Sequence, residues 1–67
     1  MTANERRAHA DLLASMRRSH SALLHAALRY REVGRLTMAE RLEDAASEIR
    51  GALRHHERTA WAEMVLR

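Results

Sequence analysis

Two long stretches of helical periodicity run through the chain, one on each side of a single interruption. In the first, Leu13, Met16, His20, Leu23, Ala27 and Tyr30 step by 3, 4, 3, 4, 3. That spacing is a heptad seam with one histidine in it. At about 100° per residue, Leu12 widens the stripe on one side and Leu24 and Leu28 widen it on the other. Such a stripe is too wide for one two-stranded seam and suits a helix with more than one neighbour. Arg7, Asp11, Arg18, His25 and Arg29 fall on the opposite face.

In the second stretch, Met38, Leu42, Ala45, Ile49, Ala52 and His56 step by 4, 3, 4, 3, 4. Ala46, Leu53 and Ala60 widen the same face, and Glu43, Asp44, Glu48, Arg50, Arg54 and Arg58 fill much of the rest. Gly51 lies inside this pattern, where a glycine costs roughly 1 kcal/mol relative to alanine; a close neighbour is one reason to keep it there.

The interruption lies at Gly34 to Glu40. Gly34 suits the left-handed position just past a helix end. Thr37 followed by Glu40 predicts a capping box for the second helix, with Leu36 before it as a staple residue. Thr2 followed by Glu5 predicts a similar box at the start of the first helix. A turn this short requires the helices to return antiparallel.

The chain, 1–67, therefore reads as one all-α helical hairpin: helix 1 about 3–33, turn 34–37, helix 2 about 38–65. Facing positions in such a hairpin number to about 71 in total. That alignment sets His20 beside Gly51, Met16 beside His56 and His9 beside Glu63.

Composition strengthens the helical reading. Alanine, leucine, arginine and glutamate dominate, all good helix formers. Proline, cysteine and phenylalanine are absent, so no disulfide or thiolate metal ligand is available. With 67 residues, a hairpin can hardly bury enough apolar surface to offset its ordering entropy. The expectation is a homodimer in which two hairpins pack as an antiparallel four-helix bundle. No apolar run is long enough to span a membrane or to serve as a secretory signal, which makes a cytoplasmic location the default.

Charge adds one asymmetry. Residues 1–35 carry seven arginines against three acids, a net +4, and residues 36–67 carry five against six, a net −1. The doublets Arg6–Arg7 and Arg17–Arg18 repeat after about three helical turns and are candidate phosphate contacts. No DNA-reading motif or aromatic stacking platform accompanies them. Nucleic acid is thus the alternative partner and not the first choice.

His9, His20 and His56 fall on the inward faces, with Glu63 one heptad step past His56. Such residues are polar members of the seam that hydrogen-bond across it and help set register. The sharper alternative is a metal-binding bundle, for which zinc needs three or four converging ligands. Ser21 and His25 are an i, i+4 pair without an orienting acid or a pocket, and no glycine-rich phosphate loop is present. The sequence therefore predicts no enzyme, no cofactor and no small-molecule substrate.

The last turns carry Trp61, Met64 and Val65 as candidate partner-binding residues, since tryptophan and methionine are enriched at interface cores. The sequence-level function is a small non-enzymatic regulator or adaptor that acts through protein–protein contact.

Overall fold

A computed structural model describes residues 2–65, with side chains described through Glu63. Helix α1 spans Ala3–Glu32 and helix α2 spans Leu36–Val65. No strand occurs among the described residues. The two helices pack side by side into a rod of 51 × 18 × 11 Å.

Helix α1 starts as its sequence requires. Thr2 is the N-cap in extended conformation, and its Oγ1 accepts from the Glu5 backbone N–H at 3.2 Å. Glu5 also places a negative charge in the first turn, where the helix dipole favours it. The other end closes as a Schellman motif. Arg35 N–H donates to the Tyr30 carbonyl at 2.8 Å, and Gly34 N–H donates to Arg31 at 3.0 Å. Gly34 has φ +79°, the left-handed value that glycine adopts without a Cβ penalty.

The start of α2 departs from the expectation. Thr37 is not the cap. The helix begins at Leu36, and the Arg35 carbonyl accepts the first helical hydrogen bond, from Ala39 N–H at 3.1 Å. The Schellman turn already sets Arg35 at the helix entrance, so Thr37 is inside the first turn and the Thr37–Glu40 box does not form. Leu36 is the first helical residue and stays exposed, so no staple forms either.

The seam between the helices uses His9, Leu13, Met16, His20, Leu23 and Ala27 from α1, all at least half-buried. Tyr30 leaves this line. A straight helix drifts by roughly 20° per heptad against a 3.5-residue repeat, which carries Tyr30 to the flank, 36% exposed. From α2 the seam takes Ala39, Leu42, Ala46, Ile49, Leu53, His56 and Ala60. The expected line through Met38, Ala45 and Ala52 is its neighbour. Both lines share Leu42, Ile49 and His56, and the helix is rotated toward Ala39 and Ala46.

The reason lies at the turn. The three-residue connection, Val33 to Arg35, brings the helices close together. Ala27, Ala39 and Ala46 lie in the half of the hairpin next to this turn, and they are the only buried hydrophobics among the described residues. Gly51 consequently points away from the seam. A Cβ built on it would meet nothing within 4 Å, so it does not face His20.

Candidate functional site

Two arginines cross from α1 to α2. Arg17 pairs with Glu57 at 2.7 Å. Arg31 pairs with Glu43, its Nε donating at 2.9 Å. All four side chains remain about half exposed, so each pair is worth no more than ~1 kcal/mol. Their value is geometric, because they mark one flank of the hairpin. At about 100° per residue, Arg17 and Arg31 fall to one side of the α1 seam. Leu12, Ser19, Ala26 and Tyr30 fall to the other.

Among the candidate phosphate contacts, Arg6, Arg7 and Arg18 are exposed and make no ion pair among the described residues. Arg17 is engaged by Glu57, which removes one cation of the second doublet from that array.

The open end of the hairpin gathers histidines. His9 meets His56 edge to face, with ring centroids 6.1 Å apart, and His55 stands 5.7 Å from His56. The expected neighbour of His9 was Glu63, which is instead exposed. His9 Nε2 is buried without a hydrogen-bond partner. A buried nitrogen left unpaired costs roughly 1–3 kcal/mol. His20 is half-buried in the middle of the seam. Among the described residues, no group of three His, Asp or Glu side chains is arranged to hold a metal ion.

Trp61 is 63% exposed. It borders a shallow depression with Arg54, Glu57 and Arg58, on the flank marked by the Arg17–Glu57 pair. The side chains of Met64 and Val65 lie outside the described residues. Ser21 and His25 are both exposed, and neither side chain makes a hydrogen bond among the described residues.

Large apolar side chains are exposed along the rod, Leu12, Leu24, Leu28, Val33 and Met38 among them. No helix among the described residues is long and apolar enough to cross a membrane. Compared as a whole, the chain matches no protein-family model, and no curated protein or solved structure is significantly similar to it.

Proposed function

We propose that this protein is a small non-enzymatic adaptor or regulator that works as a homodimeric four-helix bundle and acts through protein–protein contact. One observation carries the reading: the lone hairpin exposes more surface than its mass warrants. Its accessible area is 5409 Å², against about 4,300 Å² for a compact 7.7 kDa monomer. Its radius of gyration is 15.4 Å, against about 11 Å for a compact 67-residue domain. Among the described residues, no large side chain is fully buried. The three alanines buried among the described residues do not offset the ordering entropy of two 30-residue helices.

Association supplies the missing core. Trp61 then serves as an exposed anchor for a protein partner. Light scattering after size exclusion tests the assembly. The expected mass is twice 7.7 kDa, with a melting temperature that rises with concentration. A stable 7.7 kDa particle that melts cooperatively, independent of concentration, would rule the bundle out.

A second reading is supported by the exposure of Arg6, Arg7 and Arg18: phosphate contact by the basic helix. Binding to a nucleic-acid duplex at about 0.15 M salt, lost on Arg18→Glu, would favour it.

A further inference from the structure

The geometry points to the uncharged flank of the hairpin as the surface that a second copy of this chain covers. This inference rests on the dimeric reading above and names the face it uses.

The two flanks differ in kind. One carries Arg17, Arg31, Glu43 and Glu57, paired across the helices and about half exposed. On the other flank, α1 contributes Leu12, Ser19, Ala26 and Tyr30, and α2 contributes Met38, Ala45 and Ala52. None of these carries a charge. Met16, Leu23, Leu42 and Ile49 are half-buried at the floor between the two rows. Arg41 and Glu48 lie at the α2 border of the strip, where an interface rim belongs.

Two arguments select a second copy as the occupant. The first is self-complementarity. In a two-fold dimer the same patch meets itself, so a charged patch confronts its own sign. An uncharged strip incurs no such repulsion. The small residues Ser19, Ala26, Ala45 and Ala52 also let two backbones approach, while Leu12, Tyr30 and Met38 fill the ends. The second argument is area. The excess exposure of about 1,100 Å² per chain is enough for the ~800 Å² that each partner buries in a standard interface. One such contact accounts for it, without a second protein. The arrangement leaves Trp61, Arg6, Arg7 and Arg18 outside the interface.

The test uses the full chain and compares Ser19→Glu and Ala52→Glu with Leu28→Glu. Ser19, Ala52 and Leu28 are all exposed in the lone hairpin, so none of the three changes touches its seam. Sedimentation should show the dimer dissociation constant rising by at least about 100-fold for the first two, because each two-fold interface takes up the charge twice. Leu28→Glu should move it by less than about 3-fold. If a charged variant loses its helical signal, Tyr30→Ala and Leu28→Ala decide instead. Tyr30→Ala should weaken the dimer by about tenfold or more, and Leu28→Ala should leave it nearly unchanged. A dimer weakened by the Leu28 changes, or by none of these, would overturn the choice of face while leaving the dimer standing. A monomeric parent protein would overturn both.

Discussion

One flank of the hairpin is bridged by Arg17–Glu57 and Arg31–Glu43. The other carries no charged side chain in the strip from Leu12 to Tyr30 on α1. Both flanks come from the same two helices and border the same seam. Both also expose leucine: Leu24 and Leu28 on the paired flank, Leu12 on the uncharged one. Exposed apolar area alone therefore does not distinguish them. Charge placement does, because half-exposed ion pairs hold little energy and mark a surface that stays in water. An uncharged strip two helices wide is the one we propose a second copy covers.

The largest expected effect comes from breaking the seam that both flanks share. Ala46 is 1% exposed, and Ala46→Glu places a carboxylate inside the buried seam. The cost of roughly 3–5 kcal/mol is comparable to everything a domain this small can supply. Loss of the helical circular dichroism signal at micromolar concentration is the expected outcome. A variant that melts like the parent would mean that the seam does not run through Ala46.

Next come the glycines, which differ in backbone and not in surroundings, since neither would place a Cβ near another atom. Gly34 sets the turn, and the turn sets how α2 rotates and which residues reach each flank. Gly34→Ala forces a Cβ onto φ +79° and should cost roughly 1–2 kcal/mol. Gly51→Ala should do the reverse, gaining about 0.5–1 kcal/mol and several degrees of melting temperature. Thermal melts of the two variants check both signs, and a destabilised Gly51→Ala would show that a neighbour does pack there.

The smallest effect belongs to the ion-paired flank. Glu57→Gln should cost less than ~1 kcal/mol, and the difference should shrink in 1 M salt. A loss of several kcal/mol, measured by the same melts, would give this flank a structural weight that the comparison denies it.

Much of the fold was legible in the sequence for local reasons. Thr2 as the cap, Gly34 in the turn and the heptad steps of α1 from Leu13 to Ala27 act over three or four residues, and the structure uses each as its chemistry suggests. What was not legible depends on rotation. On α2 two heptad lines share Leu42, Ile49 and His56, and periodicity cannot choose between them. The structure takes the line that buries Ala39 and Ala46, next to the three-residue turn. The same rotation frees Gly51, carries Thr37 inside the helix and sets His9 against His56. The line expected to be the α2 seam, through Met38, Ala45 and Ala52, proves to be the edge of the uncharged flank. The candidate partner residue Trp61 was visible as an outlier from the α2 pattern, and its 63% exposure follows from that position.

The chain carries one native aromatic reporter on each flank, Tyr30 on the uncharged one and Trp61 on the paired one. In the lone hairpin both are accessible, 36% and 63% exposed. Proton NMR of the unmodified protein with a soluble paramagnetic agent reads them in one sample. At concentrations where the dimer forms, Tyr30 ring signals should be protected while the Trp61 indole broadens, and dilution should expose Tyr30 again. Broadening of Tyr30 in the dimer, or protection of Trp61 in its place, would contradict the assignment of the two flanks.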